Sequence, residues 1–182
     1  LLPTLKKTVR VSQFEAWIAP FIGTEAVFEQ LPFDHPGFVL FSSGTTGKPK
    51  CITHSGAGVM LKAQSEMLYQ FNINKGQKVF FFTTCGWMMW NWLVSGLASG
   101  AELVLYDGSP LYPKADALFD LIDEFQINVF GVSAKYIDSI KIAGISPINT
   151  HDLSSLNTVL STGSPLIPEG FDYVYESIKS DV

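Results

Sequence analysis

The chain is 182 residues long, 47% hydrophobic and only 16% charged, with a net charge of −5. An ordinary globular domain carries about 25% charged residues, so this composition excludes a disordered chain and a coiled coil. The acidic balance argues against a dedicated nucleic-acid binder. Two cysteines, Cys51 and Cys85, are too few for a disulfide scaffold and fit a reducing, cytoplasmic compartment.

In chain order, residues 1–36 read as a peripheral lead-in. Within it, Val11 to Ile18 suits a short helix ended by Pro20. Gly37 to Phe41 (GFVLF) reads as a buried strand, and Ser42 to Lys50 (SSGTTGKPK) as a loop. Ser55 to Phe71 fits a helix with Val59, Met60, Ala63, Met67 and Leu68 on its apolar side. The stretch 79–101 runs 23 residues without a charge, long enough to cross a bilayer. Its Thr, Asn, Ser and Gly content splits it instead into a strand at 78–82 and a helix at 87–98, so no membrane insertion is expected. Ala101 to Leu105 is the next strand. Lys114 to Phe125 forms a helix on Ala117, Leu118, Leu121 and Ile122. A strand at 128–131 leads to a helix at 133–143 that Ser133 caps. Residues 145–156 are mostly connection, 157–161 a strand, and 168–178 a helix with Pro168 at its start.

Strands alternating with helices at this spacing predict an α/β fold: a largely parallel sheet with flanking helices, occupying 37–182. Ligands of such sheets sit beyond the carboxyl ends of the strands. Four loops qualify: 42–50, 83–87, 106–112 and 162–167. The basic excess lies near the first of them. Residues 1–91 hold eight basic and five acidic side chains, whereas 92–182 hold four and twelve.

The loop Ser42-Ser43-Gly44-Thr45-Thr46-Gly47-Lys48-Pro49-Lys50 has the chemistry of a polyphosphate cradle. Glycines let backbone N–H groups converge, hydroxyls add donors, and lysines add charge. It is not a Walker A loop. Only two residues separate Gly44 from Gly47, and Pro49 rather than Ser or Thr follows Lys48. The bland alternative is a polar surface turn.

The run FSSGTTGKPK, followed by Cys51-Ile52-Thr53-His54, resembles the signature loop of the adenylate-forming superfamily, which includes acyl-CoA synthetases. Cys51 departs from the pattern, where a small residue is common. The segments FFTTCGWMMWNWLVSGLASGAELVLYDGSP and LSTGSPLIPEGFDYVYESIKSDV are similar to one branch, the acetoacetyl-CoA synthetases. The resemblance covers nearly the whole chain. It implies part of a large N-terminal domain within a longer polypeptide, the rest of which is then a partner. The family's Thr-Glu motif, ribose-binding Asp, hinge and principal catalytic Lys would fall beyond Val182.

The resemblance implies ATP, Mg2+ and coenzyme A as cofactors and acetoacetate as the acid. A carboxylate attacks the α-phosphorus of ATP, and the coenzyme A thiol then attacks the acyl-adenylate. Ser42, Ser43, Gly44, Thr45, Thr46, Gly47, Lys48 and Lys50 would hold the nucleotide phosphates, with Lys48 stabilising the departing pyrophosphate. Gly163, Ser164 and Pro165 would pack against adenine. Ser164 stands where relatives carry Glu, which puts a side-chain role in doubt. Trp87, Met88, Met89 and Thr162 would bound the acyl pocket; ordinary core packing is the alternative for the Trp and the Mets. No protein-held metal is expected. His54 reads as a structural hydrogen-bonding residue, His35 and His151 as turn residues, and Asp116, Asp120, Asp123 and Glu124 as a solvated helix face. Two alternatives remain: a synthetase for acetate or propionate, and a non-catalytic nucleotide-binding or interaction module.

Overall fold

A computed structural model describes residues 12–42 and 47–182. Val11, Ser43, Gly44, Thr45 and Thr46 lie outside the described residues. The chain divides into two units, one ending at Pro32 and the other Phe33–Val182. The first holds α1, Phe14–Ile18, followed by a single 3-10 turn at Ala19–Phe21. The α-helix thus ends just before Pro20, which sits inside the 3-10 turn. A missing N–H costs nothing at the start of a turn, where it has no partner to lose.

The second unit carries a four-stranded parallel sheet, ordered β4-β3-β5-β6. Its strands are β3 Lys78–Phe81, β4 Glu102–Val104, β5 Val129–Ser133 and β6 Thr158–Thr162. From β3 the chain goes outward to β4, then returns to the other side of β3 as β5. The strand order thus reverses between β3 and β5, which is where an open α/β sheet leaves a crevice.

Both faces of this sheet are covered, which explains the low charge. Period-two alternation sends Phe80, Phe130 and Val132 to one face and Val79, Phe81 and Val129 to the other. On the first face Phe80 and Phe130 stack with centroids 5.6 Å apart. They pack against α4 (Ala117–Phe125), α5 (Ala134–Ile142) and the segment that begins with α6 (Pro168–Tyr173). On the second face lie Met67, Ile73 and Leu93, brought there by α2 (Gly56–Ser65), the turn after it, and α3 (Met88–Ser95). Burying each of these large side chains stabilises the fold by roughly 1.5–3 kcal/mol. Gly131 pairs in register with Phe81, and a Cβ there would run into the Phe81 ring. A bare backbone is what lets that ring lie across β5. Among the described residues, no helix is long and apolar enough to cross a membrane.

Three expectations need correction. The segment GFVLF is not a buried strand of the parallel sheet. It belongs to β1 (Pro36–Ser42), which forms an antiparallel hairpin with β2 (Lys50–Ser55), a strand the sequence reading missed. Val39 and Phe41 are 52% and 72% exposed, while Phe38 and Leu40 turn inward. The physical signature of a half-covered antiparallel strand is this alternation, which a uniformly apolar run conceals. The helix predicted over 55–71 ends its α-helical part at Ser65. The next turn is wider, with Phe71 N–H donating to Glu66 O at 3.0 Å. The extra residue shifts the phase, so Met67 is buried but Leu68 is exposed. The acidic set is also not simply solvated. Asp120 meets both Lys114 and His151 at 3.1 Å. Burial works to raise the Asp120 pKa, but these hydrogen bonds outweigh it and hold the carboxyl below its ordinary value.

The feet of three strands meet at Asn128. Its Oδ1 accepts from Lys78 N–H at 2.8 Å, and its Nδ2 donates to Ser155 O at 3.0 Å. Its backbone N–H donates to Lys78 O, and its carbonyl accepts from Asn157 and Thr158. Replacing Asn128 by Ala strands both side-chain partners. The expected cost is about 2–4 kcal/mol of unfolding free energy, measured by urea titration of the complete protein. A loss within experimental error would show that the side chain does not set the register.

Candidate active site

Two clefts open at the carboxyl ends of the strands. The larger, about 610 Å³, is walled by the hairpin, α2, α3 and the end of β6. Phe38 and Leu40 come from β1 and His54 from β2. Val59 and Ala63 come from α2, Phe81 from the tip of β3, and Leu160, Ser161 and Thr162 from β6. From α3 come Met88, Met89, Asn91, Trp92 and Ser95. Met88, Asn91, Trp92 and Ser95 follow the spacing i, i+3, i+4, i+7, so one helix face is presented to the cavity.

Local sequence explains how these walls stand. Ser55 ends β2 and caps α2, its Oγ accepting from Gly58 N–H at 3.2 Å. Gly56 N–H donates to His35 O at 2.9 Å and ties α2 to the foot of the hairpin. Gln64 on α2 donates to Ser95 O at 3.1 Å and accepts from Ser99 at 2.8 Å, which holds α2 against α3. Lys62 and Glu66, also on the wall, pair with each other. The cavity is therefore apolar over most of its surface, with few polar groups left over.

Of the residues anticipated from sequence, Met88, Met89 and Thr162 meet in this cleft. Trp87 is not on its wall. It precedes α3 and sets its ring edge-on to Phe81 at 6.2 Å, close beside the cavity. Gly163, Ser164 and Pro165 follow β6 as an exposed turn away from the cleft lining. Gly163 has φ +89°, a conformation that strains any side chain and lets the chain turn off the strand end. Ser42 is the last residue of β1 and Lys50 the first of β2, so the anticipated loop connects the two strands of the hairpin. Gly47, Lys48 and Lys50 are exposed on it; Ser43, Gly44, Thr45 and Thr46 lie outside the described residues.

His54 departs from its expected role. Among the described residues its side chain has no hydrogen-bond partner, and it lines the cleft. Paired with Phe38 in the antiparallel register, it sits on a hairpin wall that the sequence reading did not foresee. His35 and His151 do serve turns: His35 Nδ1 lies 3.0 Å from Pro36 O, and His151 joins Thr150 and Asp120. Asn91 was also missed, although the helical spacing from Met88 was a signal for it.

The second cleft, about 510 Å³, lies between Thr83, Thr84 and Cys85 after β3 and Tyr106, Asp107 and Gly108 after β4. It joins two of the loops that the parallel-sheet rule singles out. Both cysteines are free and exposed.

The family model of AMP-binding enzymes matches residues 4–179, and the chain belongs to that family. The chain is 54% identical over its whole length to an acetoacetyl-coenzyme A synthetase of Rhizobium meliloti, and spans 28% of that relative. It is 44% identical over 169 aligned positions to a malonamoyl-CoA synthetase of Penicillium aethiopicum, with 85% of this chain and 23% of that protein covered. The solved structure of the acetoacetyl-CoA synthetase from Streptomyces lividans superposes with a TM-score of 0.80 at 44% identity. That match covers 85% of this chain and 24% of the other. The chain thus spans about a quarter of the length of the relatives it matches.

Proposed function

We propose that the complete protein carrying this chain is an acetoacetate–CoA ligase working through an acyl-adenylate. The observation that carries this reading is the 54% identity to an acetoacetyl-coenzyme A synthetase across all 182 residues. The cleft supports it independently. A short keto acid needs a mostly apolar wall with a few placed polar groups, and Met88, Met89 and Thr162 meet on such a wall. The relatives named for acetoacetyl and malonamoyl groups share one chemical element: a carbonyl β to the activated carboxylate. Acetate and propionate lack it.

On this reading the chain supplies half of the site. The turn 42–50 wraps the β- and γ-phosphates, with Lys48 and Lys50 providing charge. Bond breaking at the α-phosphorus moves negative charge onto pyrophosphate. A lysine at the tip of an exposed turn is then favoured more in the transition state than in the ground state. No general base is required for the first step, since the acid arrives as a carboxylate. Gly163, Ser164 and Pro165 border the adenine through their backbone, and Trp87 supports the acyl wall by packing on Phe81. Magnesium accompanies the nucleotide and offsets phosphate charge. Among the described residues no group of three or more His, Cys, Asp or Glu gathers to cage an ion. Coenzyme A enters for the second step, with the remainder of the polypeptide completing its site. A cytoplasmic location belongs to this reading, and the free thiols of Cys51 and Cys85 fit a reducing compartment.

Two measurements test it. The complete protein should exchange labelled pyrophosphate into ATP when given acetoacetate. Exchange that depends instead on acetate or propionate would overturn the substrate assignment. Lys48→Ala should slow adenylation by roughly 30- to 1000-fold, the equivalent of losing about 2–4 kcal/mol of charge stabilisation. Its melting temperature should stay unchanged, and thioester formation from preformed acyl-adenylate should suffer far less. Equal loss in both half-reactions would make Lys48 structural.

A further inference from the structure

We infer that Asn91 is a specificity-determining residue, its carboxamide donating a hydrogen bond to the carbonyl oxygen β to the substrate carboxylate. The inference rests on the 3-oxo acid reading given above and assigns it a residue.

Half of the polar side chains on the cleft wall are already engaged. The Ser55 hydroxyl accepts from Gly58 N–H, and the Ser95 hydroxyl donates to Asn91 O at 2.8 Å. Lys62 and Glu66 neutralise each other. Ser161 and Thr162 stand at the end of β6, where the reacting carboxylate and nucleotide are placed on the proposed reading. His54 lies across the cavity on the hairpin. Asn91 alone sits along the α3 face, one turn beyond Met88, among Trp92, Phe81 and Phe71. Among the described residues its side chain makes no hydrogen bond, although its own backbone carbonyl does.

Asn91 is half-buried, and in the open cleft water still reaches its carboxamide. A substrate that fills the cleft displaces that water, and the N–H groups then cost free energy unless the substrate pairs with them. A helix needing only packing would carry Leu or Met at this position, as it does at 88, 89 and 93. A ketone oxygen is an acceptor only, so the partner it requires is a donor, and the Asn91 Nδ2 group supplies one. An acyl chain whose carboxylate lies at the strand ends extends along α3. The second carbonyl is the group it carries past Met88. A saturated acid of equal length leaves the Asn91 N–H groups unpaired in the closed site, and is rejected for that reason.

The test uses the complete protein and compares kcat/KM of adenylation for acetoacetate and for butyrate. Two variants are needed. Asn91→Leu keeps the size and removes the donor. Asn91→Asp is isosteric and its charge is favoured in the first turn of a helix, so it should fold. Wild type should prefer acetoacetate. Each variant should lower the acetoacetate-to-butyrate ratio by at least about tenfold, with butyrate activity in the Leu variant unchanged or raised. Retention of the wild-type ratio in the folded Asp variant overturns the inference, whatever the Leu variant does. If wild type shows no preference for acetoacetate over butyrate, the 3-oxo acid reading fails first and this assignment falls with it. If wild type prefers acetoacetate and the variants keep that preference, only the role of Asn91 fails.

Discussion

At the end of the parallel sheet remote from the clefts, a single residue, Asn128, ties the feet of β3, β5 and β6 together. Asn128 bonds to the first residue of β3 and to the loop before β6, while its own backbone joins both strands. Backbone pairing alone tolerates sliding, and a slip of one residue would exchange the two faces of a strand. Here such a slip would drive Phe80 off the α4–α5 side and put Phe81 there in its place. Pinning the strand feet therefore determines which residues reach the strand tips. Phe81, Ser133 and Thr162 stand at neighbouring carboxyl ends because Lys78, Asn128 and Thr158 are held together at the other.

From those tips the chain builds its cavity with different means on each side. On the β6 side the left-handed Gly163 turns the backbone away from Thr162 and leaves that strand end open. On the β3 side, Phe81 supports the ring of Trp87, the residue just before the helix that presents Met88, Asn91 and Trp92. The third wall, the hairpin, contributes nothing to the sheet. It is attached through the Ser55 cap and the Gly56–His35 bond to α2, and α2 is fastened to α3 by Gln64. The hairpin turn on which the proposed nucleotide contacts sit is thus joined to the acyl wall through two helices.

The parallel sheet and its helices were legible because both of its faces are buried. Short apolar runs such as KVFFF and NTVLS, separated by amphipathic stretches, have few other readings. Boundaries moved by one to three residues, and the wide turn after Ser65 misplaced Leu68, since no local residue announces an extra residue per turn. The hairpin was illegible for the opposite reason. GFVLF is apolar at every position, so the alternation that distinguishes Phe38 and Leu40 from Val39 and Phe41 exists only in the fold. His54 and Asn91 were hidden by the same blindness to faces: a lone polar residue in an apolar segment shows its use only once the wall opposite is known. Met88, Met89 and Thr162 came to notice through a resemblance spanning the whole chain, and their convergence on one cavity is a matter of long-range packing.

The larger cleft is the proposed acyl site and the loop 42–50 the proposed phosphate site. The most direct measurement is a crystal structure of the complete protein with a non-hydrolysable acetoacetyl-adenylate analogue. The acyl chain should lie between Met88, Met89 and Thr162, within contact of Asn91, with the phosphate directed toward the turn 42–50. An acyl chain seated instead in the second cleft, against Thr84, Cys85 and Asp107, would contradict it.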